Sequence, residues 1–249
     1  MTRLYVIIAA IAWSLTSVAY TVVIDAGHGG RDAGALGLVT KEKHINLAVA
    51  LAVGKMITDN CPDVKVIYTR KTDVFVELNE RAAIANRAKA DLFISIHTNS
   101  TASGLKGTSA NGTETYTLGM HRANDNLAVA KRENSVIMLE KNYEQKYEGF
   151  DPRKSESYII FELMQDRNMA SSVNLARLIQ NQFRQTARRI DKGVYQAGFL
   201  VLRQTSMPSV LIELGYINNA NEEVFLNSRD GQQKMAQSIF NAFIQYRKK

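Results

Sequence analysis

The sequence contains one cysteine and three prolines, and no hydrophobic run in it approaches the eighteen residues of a membrane-spanning helix. Cys61 therefore cannot form an internal disulfide or build a thiolate metal site alone. The few prolines, with 15 glycines, leave no low-complexity linker that would divide the 249 residues. Hydrophobic residues make up 45% of the chain and charged residues 22%, which excludes disordered and collagen-like proteins. Any metal in this protein must be held by histidines and carboxylates.

The chain is basic, with 31 lysines and arginines against 24 acidic residues and a formal net charge of +7. This balance favours acidic partners such as nucleic acid, anionic lipid or a cell-wall polymer. Acidic residues interrupt the basic runs, however, and the sequence has no arginine-rich arm, zinc finger or aromatic RNA-binding motif. We therefore expect no nucleic-acid partner, and a basic surface without a specific partner is a sufficient explanation of the charge.

The first residues are typical of an export signal. Arg3 precedes the unbroken apolar run 4–13, and the Ser-Val-Ala tripeptide at 17–19 fits a small-x-small cleavage pattern. Ten helical residues extend about 15 Å, half the hydrocarbon core of a bilayer, so no stable membrane span is expected. The sequence predicts a signal peptide at 1–19 and a mature chain at 20–249 that works in the periplasm or outside the cell. An uncleaved N-terminal anchor is the alternative.

Hydrophobic patterns predict strands and helices that alternate along the mature chain. Thr40 is placed to cap the first helix, and the fourth strand is expected at a sheet edge. Strands separated by helices predict an α/β fold, with a mostly parallel twisted sheet and helices on both faces. The predicted strands are 21–24, 64–68, 91–96, 113–118 and 209–213, and the predicted helices are 43–58, 78–89, 170–188 and 231–247.

Residues 120–168 do not follow this alternation. They carry many charges, a helical pattern near 124–140, and the aromatic residues Tyr143, Tyr147 and Phe150. A connection of about fifty residues is far longer than usual between core elements, which favours a functional cover or lid over a linker. A solvated excursion without a function is the alternative.

Four side chains suited to zinc chemistry map to the same edge of the predicted sheet. His28 follows the first strand by a few residues, His97 follows the third, Glu213 ends the last, and Glu42 opens the first helix. Ligands of open α/β sheets bind beyond the carboxyl ends of the strands. Two imidazoles and one carboxylate form a known catalytic zinc set, with the fourth position open for water. A single histidine at a strand end is more often a structural hydrogen-bonding group, but two histidines with a glutamate favour a metal site.

Three ordered stretches resemble the zinc-dependent N-acetylmuramoyl-L-alanine amidases, the amidase type 3 family of cell-wall enzymes. The first is VVIDAGHGGRDAGALG followed by KEKHINLA, the second is YTRKTDVFVELNERAAIANRAKADLFISIHTN, and the third is MPSVLIELGYINNANEE. The matches extend from residue 21 to about residue 247, and they cover nearly the whole predicted mature chain.

The resemblance implies one zinc ion per chain, held by His28, Glu42 and His97, with Glu213 as the catalytic carboxylate. It implies hydrolysis of the amide between N-acetylmuramic acid and L-alanine in peptidoglycan, for cell separation or wall turnover. Two rival hypotheses remain open at this point. One is a peptidoglycan-binding module without catalysis, and the other is a zinc peptidase that cleaves within the stem peptide.

The insert 120–168 also has a counterpart in this resemblance. Some amidases of the family that separate daughter cells carry an extra helix that blocks the zinc cleft until an activator displaces it, often a LytM-type protein. The stretch AVAKRENSVIMLEKNYE resembles such an insert, and Glu133 is the first candidate for an extra zinc ligand in the resting state. Arg70 and Arg81 also match the family blocks, and we expect them to form structural pairs with Asp73 or Asp91.

Overall fold

The computed structural model describes residues 20–101, 108–120, 123–163 and 167–248. The predicted signal peptide at 1–19 lies outside these ranges. Within them, no helix has both the length and the apolar character that a membrane span requires.

A six-stranded mixed sheet forms the centre of the described chain, with the strand order β2-β1-β3-β6-β4-β5. Neighbouring strands are parallel except for β4 and β6, which run antiparallel. The predicted α/β fold with a mostly parallel sheet is confirmed. The strands are β1 (Tyr20–Ala26), β2 (Val64–Tyr68), β3 (Leu92–Asn99), β4 (Thr113–Leu118), β5 (Asp191–Ala197) and β6 (Ser209–Tyr216).

Helices cover both faces of the sheet, and two short 3₁₀ segments, Ser135–Leu139 and Ser155–Ile159, lie within the predicted insert. The helices are α1 (Glu42–Asn60), α2 (Leu78–Arg87), α3 (Asn124–Asn134), α4 (Tyr143–Lys146), α5 (Ile160–Leu163), α6 (Met169–Gln185), α7 (Leu200–Arg203), α8 (Ala220–Asn227) and α9 (Arg229–Arg247).

Two hydrophobic cores lie on opposite faces of the sheet. The first core packs α1, α6 and α9 against strand residues such as Ile94 and Ile212. The second core includes Phe93 and Leu211 from the same two strands. Because side chains alternate along a strand, His97 and Glu213 lie on the face of the second core. The face that carries the candidate site is therefore the face of the second core.

The insert supplies a large share of the second core rather than lying in solvent. Nine of its apolar side chains are buried there: Leu127, Val129, Ala130, Val136, Ile137, Tyr147, Phe150, Tyr158 and Phe161. Asn134 fixes the end of α3 to the sheet side, since its Nδ2 donates to the Gly198 carbonyl at 2.7 Å and its Oδ1 accepts from the Leu200 N–H at 2.9 Å. Helix α3 and the segments after it are thus both components of the fold.

Several local predictions are wrong for identifiable reasons. β4 is an interior strand, because the unpredicted β5 pairs with it and forms the edge of the sheet. Helix α1 begins after Lys41 without a side-chain cap, and the Thr40 N–H donates to Glu223 at 2.9 Å instead. β3 and β6 continue past their predicted ends, so that His97 and Glu213 lie within strands.

Candidate metal centre

The structure brings His28, Glu42, His97 and Glu133 together in one buried cluster. One ligand atom from each lies within 4.8 Å of the other three. His28 stands in the turn after β1, Glu42 is the first residue of α1, His97 lies on β3, and Glu133 lies near the end of α3. A side chain at Gly27 would overlap the His97 ring, so the turn approaches that ring closely.

The four side chains face one another at short range without hydrogen-bond geometry. Oε1 of Glu42 lies 3.1 Å from Nε2 of His28 and 3.3 Å from Nδ1 of His97. Oε2 of Glu133 lies 3.0 Å and 2.9 Å from the same two nitrogens. The described residues offer no hydrogen-bond partner to either nitrogen or to Oε2 of Glu133, although all three atoms are buried.

A small divalent cation fits between these atoms. Buried polar atoms without a partner cost free energy, and a cation at the centre would satisfy them together. Ligands about 2.0–2.1 Å from a tetrahedral zinc ion are about 3.3 Å from one another, which is close to the separations seen here. Imidazole nitrogens and carboxylate oxygens are also the donors that zinc accepts.

Neighbouring groups hold the candidate ligands in position. His28 Nδ1 lies 2.7 Å from Oδ2 of Asp32, which favours a proton on Nδ1 and leaves the lone pair of Nε2 directed at the cluster. Oε1 of Glu42 accepts from the Thr98 N–H at 2.9 Å and from Asn46 Nδ2 at 3.1 Å. The orientation of both ligands is therefore fixed by the fold.

The cluster favours positive charge. Burial alone would lower the pKa of His97. The adjacent Glu133 carboxylate outweighs this effect, and the pKa of His97 is raised to about 9. Burial opposes the charged form of His28 in the same way, and Glu42 and Asp32 together hold its pKa well above the usual value. Burial would raise the pKa of Glu133, whereas Arg132 and His97 hold it well below its ordinary range. The carboxylates that raise the pKa values of the two histidines also attract a metal cation.

Glu213 lies next to the cluster on the neighbouring strand. It is fully buried and pairs in register with His97 of β3. Burial, and then the charge of Glu133, raises the pKa of Glu213 well above its usual value. Its Oε2 has no hydrogen-bond partner among the described residues. Glu213 thus lies beside the cluster, separate from the four candidate ligands, as a buried carboxyl group suited to proton transfer.

Arg132 is a functional candidate that the sequence did not reveal. Its guanidinium donates to the Ser100 carbonyl at 2.6 Å and to Oε1 of Glu133 at 2.9 Å, and it lies 3.4 Å from Oε1 of Glu213. Its position next to Glu133 is the signal that could have identified it. Through these two residues α3 contacts both the cluster and the neighbouring carboxylate.

The expected pairing of Arg70 and Arg81 with Asp73 or Asp91 is wrong. Arg81 instead forms a buried pair with Asp25, at 2.7 Å, and donates to the His28 carbonyl at 3.0 Å. Arg70 donates to backbone carbonyls of the same turn, including that of Gly27 at 2.8 Å. The turn needs this support because His28 has a backbone φ of 62°, in the left-handed region that is unfavourable for most residues.

The chain resembles known enzymes over nearly its whole length. Residues 22–245 match the family model described as N-acetylmuramoyl-L-alanine amidase. The N-acetylmuramoyl-L-alanine amidase AmiA of Escherichia coli K12 is 32% identical over 228 residues, which are 90% of this chain and 75% of AmiA.

Solved structures give the same result. The catalytic domain of CwlV, an N-acetylmuramoyl-L-alanine amidase from Bacillus (Paenibacillus) polymyxa, matches with a TM-score of 0.66 and 32% identity, over 92% of this chain and 98% of that one. The CwlD amidase from Clostridioides difficile, solved in complex with the GerS lipoprotein, has the same fold, with a TM-score of 0.66 and 23% identity over 92% of this chain and 98% of its own.

Proposed function

Because the chain belongs to the N-acetylmuramoyl-L-alanine amidase family, we propose that His28, Glu42 and His97 are its zinc ligands and that Glu213 is its catalytic carboxylate. The protein is an N-acetylmuramoyl-L-alanine amidase, an enzyme that acts on peptidoglycan. One observation carries the assignment of the site: ligand atoms of four buried side chains converge within 4.8 Å, and the His28, His97 and Glu133 atoms among them have no hydrogen-bond partner in the described part of the chain.

The proposed mechanism uses two parts of this site. A bound zinc ion would supply Lewis acidity to the scissile carbonyl and to water. Glu213 takes a proton from the attacking water and delivers it to the amide nitrogen. The new carbon–oxygen bond yields a carboxyl group on the lactyl side, and the broken carbon–nitrogen bond releases the stem peptide with a free amine on L-alanine. Asp32 and Thr98 act indirectly, by holding His28 and Glu42 in place.

We further propose that the described conformation is a resting state that α3 keeps inactive. Oε2 of Glu133 lies about 3 Å from both imidazole nitrogens, where it would occupy the coordination position needed for water or substrate. Arg132 lies against Glu213, and its positive charge would lower the proton affinity of that carboxylate. The same helix therefore interferes with both halves of the mechanism.

Release of α3 would require a partner that binds the open form preferentially, because a ligand with equal affinity for both forms shifts no population. Resemblance to the cell-separation amidases suggests a LytM-type activator, and the complex of CwlD with GerS offers a precedent for a protein partner in a related fold. We place the enzyme in the periplasm or outside the cell, with residues 1–19 as the signal peptide, 20–249 as the catalytic domain and a role in cell separation or wall turnover.

The decisive experiment is digestion of intact sacculi by zinc-loaded protein lacking residues 1–19, as the parent chain and as Glu133→Ala. We expect release of free stem peptides with N-terminal L-alanine, and loss of activity on chelation. Glu213→Gln should reduce the rate by about 10²-fold or more, since glutamine cannot take the proton. Cleavage within the stem peptide would identify a zinc peptidase instead, and binding without any product would identify a binding module.

A further inference from the structure

A row of paired residues crosses four strands beside the metal centre. His97 of β3 pairs with Glu213 of β6, Glu213 pairs with Glu114 of β4, and Glu114 pairs with Gly193 of β5. Residues opposite each other on neighbouring strands point to the same face of a sheet. Glu114 therefore continues the row of His97 and Glu213 by one strand, on the face that α3 covers.

Glu114 is a buried carboxylate with one unused acceptor position. It is 5% exposed, and its Oε2 accepts from Asn99 Nδ2 at 2.9 Å and from the Tyr116 hydroxyl at 2.8 Å. Its Oε1 accepts from the Tyr216 hydroxyl at 2.7 Å, while Lys192 Nζ stays at 3.7 Å. An ionised carboxylate offers about four acceptor positions, so three neutral donors leave one on Oε1.

The neutral donors remain neutral beside this carboxylate. Burial raises the pKa of both the Tyr116 and the Tyr216 hydroxyl, and the charge of Glu114 raises each further. Both phenols therefore keep their protons and donate to Glu114. They organise the carboxylate without neutralising it, and Lys192, whose Nζ lies 3.7 Å from Oε1, is the cation with which an ammonium ligand would compete for it.

This carboxylate faces a cavity of about 380 Å³ between α3 and the sheet. Glu114 and Tyr216 line the sheet side of the cavity, and Val129 and Arg132 line it from α3. Because Arg132 also contacts Glu213, the cavity adjoins the proposed catalytic carboxylate. Movement of α3 would open the cavity and the metal centre together.

We propose that Glu114 binds the α-ammonium group of the released stem peptide, and that the peptide side of the scissile bond lies over β4 and β5. The inference rests on the proposed function of Glu213. Side chains opposite each other on antiparallel strands have Cβ atoms about 4.5–5.5 Å apart, so a nitrogen that receives a proton from Glu213 is within reach of Glu114.

The chemistry of the leaving group fits this position. The scissile amide nitrogen is neutral in the substrate and becomes an amine with a pKa near 8 after the bond breaks, which is mostly ammonium at neutral pH. A fixed negative charge beside it therefore interacts more strongly with the protonated leaving group than with the substrate. Such a difference favours the reaction itself rather than substrate binding alone.

The test measures binding and needs no turnover. The probes are the dipeptide L-alanyl-γ-D-glutamate and its N-acetyl derivative, titrated calorimetrically into zinc-loaded Glu133→Ala protein, in which the cleft is free. The measured quantity is the ratio of the two affinities, in which the contribution of the shared carboxylates cancels. We expect Glu114→Gln to reduce this ratio roughly tenfold, since only the free amine carries the charge that Glu114 recognises.

Tyr216→Phe is the matched control, because it removes one hydrogen bond to Glu114 and keeps the charge. An unchanged ratio in Tyr216→Phe supports the proposal, whereas a loss equal to that of Glu114→Gln would show a merely structural network and overturn it. The proposal is also overturned if Glu114→Gln keeps the parent ratio, or if the free dipeptide does not bind.

Lys192→Met provides a second test if Glu114→Gln does not fold, which the absence of a cooperative unfolding transition on heating would reveal. Removal of the ammonium nearest Oε1 should raise the affinity ratio, and a ratio that stays equal or falls contradicts the proposal. These results are separable from the proposed function, because a protein that hydrolyses sacculi correctly can still fail every binding test of Glu114.

Discussion

Nη2 of Arg132 lies 3.4 Å from Oε1 of Glu213, so α3 is connected to the proposed catalytic carboxylate by the residue that precedes Glu133. In the proposed resting state, these two neighbouring side chains would act on different groups of the site. Glu133 faces the imidazole nitrogens, and Arg132 pairs with Glu213. A single helical turn thus contacts both the candidate metal centre and the proposed acid–base group.

The first prediction concerns this turn. Glu133→Ala should raise the basal rate of sacculus hydrolysis at least about tenfold, because closed forms of switching proteins leave open states populated at about 0.1–10%. The measurement is dye release from labelled sacculi without any partner protein. Lys131→Ala is the control, since Lys131 contacts Ser155 Oγ on the exposed side of α3. Equal basal rates for Glu133→Ala and the parent chain would refute the inhibitory role.

The second prediction separates α3 from the rest of the insert. Phe161 is 2% exposed in the second core, and Phe161→Ala should lower the free energy of unfolding by about 3–5 kcal/mol. Ile159 lies two residues earlier and is 53% exposed, so Ile159→Ala should change the free energy of unfolding by about 0.5 kcal/mol or less. Urea denaturation measures both. If Phe161→Ala destabilised the protein as little as Ile159→Ala does, the insert would be dispensable to the fold.

The third prediction concerns the metal. Zinc at 100 times its dissociation constant should stabilise the fold by about 2.7 kcal/mol, and a chelator should remove that stabilisation. Asp32→Ala should weaken zinc binding about 10- to 100-fold, because Asp32 holds the His28 ring. Competition with a chromophoric chelator gives the affinity. Asp59→Ala is the control, since Asp59 is exposed on α1 and pairs there with Lys55. An equal loss of zinc affinity in Asp59→Ala would contradict the assignment.

The fourth prediction concerns the buried pair beneath the His28 turn. Burial alone would raise the pKa of Asp25, but Arg81 and two hydroxyl donors hold it below its usual value, so Asp25 is a buried anion. Arg81→Met should cost about 3–5 kcal/mol of unfolding free energy, because the charge of Asp25 would be left unpaired. The double variant with Asp25→Asn should recover part of the loss.

An exposed arginine provides the control for this fourth prediction. Arg87 pairs with Glu80 on the surface of α2, and Arg87→Met should change the unfolding free energy by about 0.5 kcal/mol or less. Thermal or urea unfolding compares the variants. A loss in Arg81→Met no greater than that in Arg87→Met would show that Asp25 does not depend on its partner.

The sequence predicts the parallel part of the fold well because β1, β3 and β6 are continuous apolar runs, as strands buried on both faces are. It misses β5, whose sequence DKGVYQA contains glycine and polar residues and is only partly buried at the sheet edge. It also misplaces the helix start at Thr40, whose backbone is held by Glu223, 183 residues away in sequence. Contacts of that separation leave no local pattern.

The candidate site also contains residues that the sequence predicts and residues that it does not. The sequence predicts that His28, His97 and Glu213 lie together, because strand ends of one sheet converge, and the structure brings them to one edge. Glu114 has no distinguishing sequence pattern, because it stands in an ordinary strand, and only the antiparallel register of β4 with β6 places it opposite Glu213. The pairing of Arg81 with Asp25 was missed for a similar reason, since their separation of 56 residues is bridged only by the folded sheet.

The first helix of the insert lies against the candidate metal centre, and both this helix and the segments that follow it bury apolar side chains in the second core. An inhibitor built in this way cannot be cut out, as the pro-segment of a zymogen is, without removing side chains that hold the catalytic domain together. If α3 inhibits the enzyme as we propose, activation must work by reversible displacement of one short helix, and hydrolysis should stop again as soon as the displacing molecule departs.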